Sequence, residues 1–201
     1  MKIGVFGGTF NPIHTAHIYL AREYIRQLAL DRLVLAPAYT PPHKPAEGLA
    51  SAADRLAMCR LATKELPLAH VTEYEIRQGG KSYTYLTLRY LEEKYPGSEL
   101  FLIMGGDMFL TVQDWRHAAD IYATATLCTA RRKREELTAL DRHKAYLEQQ
   151  GARCIVIDAE AKPMSSTQVR ELIQKGENPS GLLHPDVWDY IQRHGLYRQE
   201  V

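Results

Sequence analysis

Short apolar runs and helix-spaced apolar positions alternate along the chain from its first residues. Lys2-Ile3-Gly4-Val5-Phe6 is apolar and bounded by glycine, which predicts a short buried strand. Ile18, Ala21, Ile25 and Leu28 then recur at helical spacing. Arg32 to Pro37 predicts a second strand, and a proline-rich loop runs from Ala38 to Leu49. Ser51 is placed to cap the next helix, with Asp54 in its first turn and Leu56, Cys59, Ala62 and Leu66 as its apolar stripe. Ala69 to Ile76 reads as a third strand and Arg77 to Lys81 as a turn. A helix from about Thr84 to Tyr95 is expected to bury Leu88, Leu91 and Tyr95.

Leu100 to Met104 is the most apolar run and is expected to be a central strand, ended by Gly105-Gly106-Asp107. Short helices should cover Met108 to Tyr122. Strands are expected at Ala125–Thr129 and Arg153–Ile157, with a charged, mostly helical stretch from Arg131 to Gln150 between them. Helices at about Ser165–Lys175 and Asp186–His194 close the chain, the latter stopped by Gly195. Alternating strands and helices imply an α/β fold with a parallel sheet and helices on both faces. In such sheets ligands bind beyond the strand C-termini. Gly7–His17, Pro37–Lys44, Gly105–Asp107 and Ser165–Arg170 all follow strand ends, so they should converge.

The first of these stretches carries the most chemistry. Gly7-Gly8-Thr9-Phe10-Asn11-Pro12-Ile13-His14-Thr15-Ala16-His17 is a strand-to-helix turn. Helix N-terminal N–H groups point at such a turn and favour phosphate. It is neither a dinucleotide fingerprint nor a P-loop. His14 and His17 are three apart at the helix entry, so both rings can face one ligand. Gly7 and Gly8 permit close backbone approach, and Pro12 stiffens the turn. The two histidines could also be exposed helix-end residues, or metal ligands with His43 as a third. Phosphate binding accounts for the glycines and the helix start together.

At 201 residues the chain suits one domain, 1–201, with the helices of about 165–201 packing on the sheet. The net charge of +1 offers no global attraction for nucleic acid or membranes, so any phosphate site must be local. No stretch of 18 apolar residues and no signal-peptide pattern is present, which with the three scattered cysteines Cys59, Cys128 and Cys154 points to a cytoplasmic protein with buried, reduced thiols.

Four further groups could act on a nucleotide. Pro41-Pro42-His43-Lys44-Pro45 is a stiff loop with one cation, either solvated or placed over phosphates. Ser82, Tyr83 and Thr84 begin a helix, where a hydroxyl could cap it or its N–H groups could hold an anion. Asp107 could cap a short helix, and Trp115 could be core. Ser165 and Gln168 fit a capping box, but Ser166, Thr167 and Arg170 exceed what a cap needs and could converge on one anion. The run Arg131 to Arg134 reads as a solvated loop partly neutralised by Glu135 and Glu136.

Gly8 to His17 resembles the G-x-F-[DN]-P-x-H-x-G-H motif of the nucleotidyltransferase superfamily, and its G-G-T-F opening resembles the bacterial nicotinate-nucleotide adenylyltransferases. Ala16 stands where the motif has glycine; one added methyl on a helix should be tolerated. The resemblance extends to a P-x-H-K loop at Lys44, S-Y-T-x-x-T-L at Ser82, G-[AGS]-D-x(7)-W at Asp107 and Trp115, and I-S-S-T-x-[IV]-R at Ser165 to Arg170, with Met164 for isoleucine. The closing Tyr190 to Tyr197 is similar too.

The resemblance implies a Rossmann-like fold of the nucleotidyltransferase α/β phosphodiesterase type. It implies transfer of adenylate from ATP to nicotinate mononucleotide, giving deamido-NAD and pyrophosphate. His17, His14, Lys44 and Arg170 would be catalytic. Gly7, Gly8, Thr9, Phe10, His14, His17, Lys44, Gly106, Ser166, Thr167 and Arg170 would bind ATP. Ser82, Tyr83, Thr84, Asp107 and Trp115 would bind nicotinate mononucleotide. Mg²⁺ would bridge the phosphates with few protein ligands, and a homo-oligomer is left open. Pantetheine-phosphate adenylyltransferases and cytidylyltransferases share the first motif but not the Ser82 and Trp115 segments. The nicotinamide-preferring adenylyltransferases share the first motif as well. A catalytically silent nucleotide sensor on the same fold is the alternative of another class; loss of Lys44, His17 or Arg170 would favour it, and all three are present.

Overall fold

The computed structural model describes residues 1–41, 48–131, 137–159 and 164–198. In chain order the elements are β1 (Lys2–Gly8), α1 (Thr15–Leu28), β2 (Arg32–Pro37), α2 (Ala52–Thr63), β3 (Ala69–Val71), α3 (Tyr74–Gln78), α4 (Thr84–Lys94) and β4 (Glu99–Ile103). There follow α5 (Gly106–Phe109), a 3₁₀ turn (Val112–Asp114), α6 (Ala118–Thr124), β5 (Ala125–Arg131), α7 (Leu137–Gln149), β6 (Arg153–Asp158), α8 (Ser166–Gln174) and α9 (Pro185–Arg193).

All six strands are parallel, in the order β3-β2-β1-β4-β5-β6. This is the doubly wound order in which chain direction across the sheet reverses between β1 and β4. The expected α/β architecture is therefore the one that forms, and the apolar run at 100–104 supplies a central strand.

Strand residues alternate between two cores, as a pleat requires. Phe6, Leu33, Leu35, Phe101 and Ile103 face one side, against Tyr24 and Leu28 of α1, Met58 and Cys59 of α2, Val169 and Ile173 of α8, and Val187 and Ile191 of α9. Ile3, Val5, Val34, Leu100 and Leu102 face the other, against Leu88 and Leu91 of α4, Ile121 of α6 and Leu140 and Leu147 of α7. With both faces covered, the central strands β1, β2 and β4 are apolar over nearly their whole length and show no polar alternation in the sequence. Ser51 caps α2 as expected, accepting from the Asp54 N–H at 3.0 Å. The three cysteines are free and buried, in α2, β5 and β6.

Several boundaries differ from the sequence reading. The stretch 69–76 is only a three-residue strand, followed by α3. In the β2–β3 ladder the Leu33 N–H donates to Leu68 O, and Leu35 O accepts from the Thr72 N–H. Two residues on, the next group facing β3 is Pro37, which has no N–H to continue the ladder. The Tyr74 N–H instead turns back to the Thr72 hydroxyl at 3.2 Å, and α3 starts. Leu66 is buried but lies beyond the end of α2, and Tyr95 is half-buried at the α4 C-terminus, where its hydroxyl accepts from Arg32 at 2.9 Å. Of the basic run, Arg131 ends β5 and pairs with Asp141 and Asp158; 132–136 lie outside the described residues.

Candidate active site

The turn from β1 into α1 is shaped by close packing of its own residues. Phe10 has φ of +49° and tucks its ring beneath Gly8. A Cβ on Gly8 would sit 2.9 Å from that ring, whereas one on Gly7 would meet no protein atom within 4 Å. Phe10 also packs edge-on to His17, with ring centroids 5.2 Å apart.

His14 is the N-cap of α1, in extended conformation, and its backbone N–H donates to His17 Nδ1 at 3.2 Å. A ring nitrogen that accepts carries no proton, so the neutral His17 imidazole holds its proton on Nε2. The two rings stack with centroids 3.7 Å apart, His14 buried and His17 half-buried. Both imidazoles lie at the helix entry and line one cavity, described below. Ala16 is half-buried on α1, outside the cavity lining described below.

The start of α8 is stitched to the same turn. Ser165 and Gln168 form the expected capping box, with bonds of 3.2 and 2.9 Å. The Ser166 hydroxyl donates to Pro12 O at 2.9 Å. Arg170 donates to Asn11 O at 2.9 Å and to the Thr167 hydroxyl at 3.3 Å, which engages two of its five N–H groups.

These residues line a cavity of about 780 Å³ at the C-terminal ends of β1 and β4. Gly7, Gly8, Thr9, Phe10, His14, His17, Gly106, Asp107, Ser166, Thr167 and Arg170 are all on its wall. Such a volume fits a nucleotide-sized ligand. Asp107 is the one acidic side chain among the described lining residues. Lys44 lies outside the described residues, as does His43.

Ser82, Tyr83, Thr84 and Trp115 do not line this cavity. The first three sit where α4 begins, next to the chain leaving β2. The Ser82 N–H donates to Thr40 O at 3.0 Å, and the Tyr39 N–H donates to the Ser82 hydroxyl at 2.9 Å. Neither Ser82 nor Thr84 caps α4; the N-cap is Tyr83, with no side-chain cap bond. The Ser82 hydroxyl turns instead to Tyr39 and to the carboxylate of Glu75. Glu75 also accepts from the Thr87 hydroxyl at 2.6 Å. Burial pushes the Glu75 carboxyl above its ordinary pKa, against the opposing pull of Thr87, Ser82 and the Arg55 charge. Trp115 closes the 3₁₀ turn and packs on the second core. Its neighbours reach the α4 entry: the Arg116 guanidinium lies 5.1 Å from the Tyr83 ring centre, and the His117 and Tyr85 rings are 4.3 Å apart.

Four residues around these groups escape the sequence reading. Asn11 is buried with every carboxamide atom bonded: Nδ2 donates to Gly48 O, and Oδ1 accepts from the Ala50 N–H and the Tyr197 hydroxyl. Glu75 acts from a stretch that reads as strand, and Tyr197 from the closing stretch whose resemblance gave it no role at the site. Arg55 is 1% exposed and donates to backbone carbonyls of Thr9, Ala38, Tyr39 and Ala50. The sequence holds one signal for Arg55: it shares the helical face of Cys59 and Ala62, so a charge sits on an apolar stripe.

Residues 5–172 match the cytidylyltransferase-like family. A probable nicotinate-nucleotide adenylyltransferase of Syntrophotalea carbinolica is 35% identical over 215 residues, covering 100% of this chain and 99% of its own. One from Clostridium perfringens is 35% identical over 200 residues, covering 99% of both chains. Among solved structures, Plasmodium falciparum nicotinic acid mononucleotide adenylyltransferase complexed with NaAD superposes with a TM-score of 0.78 at 16% identity, covering 98% of this chain and 97% of its own. That likeness establishes the fold. Sequence identity of this extent over the full length establishes the family: the chain belongs to the nicotinate-nucleotide adenylyltransferases of the cytidylyltransferase-like group.

Proposed function

We propose that the cavity between β1, β4 and α8 is where adenylate passes from ATP to nicotinate mononucleotide, yielding deamido-NAD and pyrophosphate. One observation carries this reading. The glycine turn, the stacked His14 and His17, and the Ser166–Arg170 face of α8 line a single cavity at the switch point of the sheet.

The reaction makes one bond, from a phosphate oxygen of nicotinate mononucleotide to the α-phosphorus of ATP. It breaks one, from that phosphorus to the pyrophosphate oxygen. The attacking phosphate is ionised at neutral pH, so no general base is required. What remains is alignment and stabilisation of charge on the α-phosphate. His17, with its proton on Nε2, is a neutral donor suited to those oxygens. His14 would hold the triphosphate, with Lys44 above it. Thr167, Arg170 and the first N–H groups of α8 would hold the β- and γ-phosphates. Ser166 is a supporting residue in this scheme, since its hydroxyl is committed to Pro12 O. Asp107 would accept from ribose hydroxyls. Tyr83, Thr84 and Trp115 would form the pyridine end, with the α4 N-terminus facing the carboxylate; Ser82 would support it from behind.

Mg²⁺ fits this donor set in one way. The described lining offers a single carboxylate, alongside imidazoles, hydroxyls and a guanidinium. An ion would therefore be held by phosphate oxygens and water, and when bound it would neutralise charge on the leaving pyrophosphate.

Among the described residues no helix is long and apolar enough to cross a membrane. We take the protein to work in the cytoplasm, where ATP is available.

The test is pyrophosphate release from ATP and Mg²⁺ with nicotinate or nicotinamide mononucleotide. Release with the acid and little with the amide is the expected result. Release with the amide alone would overturn the reading of the α4 entry. Silence with both would overturn the reaction.

A further inference from the structure

Arg55 is the buried charge that the adenylyl-transfer scheme leaves without a task. Its guanidinium is almost wholly removed from water. Burial pulls its pKa down, yet an arginine stays charged, so the charge must be met by acceptors. Those acceptors are four backbone carbonyls on three stretches of chain. Nη1 donates to Thr9 O at 2.9 Å and to Ala38 O, Nη2 to Tyr39 O at 2.7 Å, and Nε to Ala50 O at 3.1 Å.

The choice of carbonyls ties the two halves of the site together. Thr9 lies between Gly8 and Phe10 on the cavity wall. Tyr39 gives its N–H to Ser82, whose own N–H returns to Thr40, and Ser82, just before α4, and Thr87, in its first turn, both bond Glu75 of α3. One rigid fork thus spans from the phosphate turn to the support of the acceptor end. We propose that Arg55 is a positioning residue for adenylyl transfer, setting the spacing between the phosphate turn and the α4 entry. The inference rests on the proposed reaction at that cavity. A lysine cannot replace it, because one ammonium cannot reach four carbonyls arranged around a planar fork.

The experiment compares wild type, Arg55→Lys and Arg55→Ala by steady-state pyrophosphate release, with the folded fraction taken from near-UV circular dichroism. All are assayed well below their unfolding midpoints. Arg55→Lys should fold and lose about 10- to 100-fold in kcat per folded molecule, since misplacement by about 1 Å costs about that much. Its KM for each substrate should move far less. Millimolar guanidinium should restore part of the kcat of Arg55→Ala, where an equal concentration of sodium chloride does not. A purely structural role would lower the unfolding midpoint and leave kcat per folded molecule within about twofold of wild type; that result overturns the proposal even if Arg55→Ala does not fold. An active wild type with an equally active Arg55→Lys removes the inference alone. A wild type without turnover removes the proposed reaction and this inference with it.

Discussion

The Tyr197 hydroxyl donates to Asn11 Oδ1 at 2.8 Å, joining the end of the described chain to the phosphate turn across 186 positions. Asn11 is the hub of that turn. Its carboxamide also holds Gly48 O and the Ala50 N–H, and its backbone carbonyl accepts from Arg170. Burial pushes the Tyr197 phenol well above the usual tyrosine range, so it remains a donor at any working pH.

Removing that donor should be felt at both ends. Tyr197→Phe leaves the buried Asn11 oxygen with the Ala50 N–H alone, a loss worth about 0.5–1.5 kcal/mol. The urea midpoint should fall accordingly, and turnover should fall with it because Asn11 aligns Arg170. An unchanged midpoint and an unchanged rate would separate the C-terminal segment from the site.

His17 carries a sharper expectation. If its Nε2 proton meets the α-phosphate in the transition state, His17→Ala should lose about 2.7–4 kcal/mol of stabilisation, roughly a hundredfold or more in kcat. Folding should survive, since His17 is half-buried and alanine is the better helix former. Near-normal kcat in the folded variant would take His17 out of the chemistry.

Most of the framework is legible in the sequence because it is local. β2 reads at its observed bounds, Arg32–Pro37, and the caps at Ser51 and Ser165 follow from short-range pattern. The lining residues at Gly7–Phe10, His14, His17 and Arg170 are legible because strand C-termini converge in a parallel sheet. What the sequence hides is long-range. Nothing near Arg55 announces that its partners lie at Thr9 and Ala38, and nothing near Tyr197 announces Asn11. The strand expected at 69–76 stops short for a non-local reason, the missing N–H of Pro37 on a neighbouring strand. Ser82 looks like a cap or a ligand donor because its true acceptor, Glu75, sits in that same stretch.

Glu75 makes stability depend on pH in a defined direction. Its carboxyl is raised above the ordinary 4.5 by burial, so the folded state holds the proton more tightly than the unfolded chain does. Where the folded state binds more protons, stability falls as pH rises. The contribution is therefore fully present below about pH 4.5 and is lost as pH climbs through the raised folded value. Gln at this position cannot titrate. The urea midpoint of wild type relative to Glu75→Gln should be most favourable in mild acid and should decline toward pH 7. A difference that is flat with pH would mean Glu75 titrates alike in both states.

Gly7 separates fold from function most cleanly. It pairs with Ala36 in β1, lies on the cavity wall, and a Cβ there would meet no protein atom within 4 Å. Gly7→Ala should therefore fold normally. Less freedom in the unfolded chain should even raise stability by about 0.4–1 kcal/mol. The added methyl would instead occupy space in which the nucleotide approaches the backbone. Overfilling a fitted site costs about 1–3 kcal/mol, so KM for ATP should rise by about 5- to 150-fold. Thermal unfolding and ATP titration on one preparation decide the matter. A raised midpoint with an unchanged KM would place the phosphates away from the β1 turn, whereas a lowered midpoint would mean that the strand itself needs glycine there.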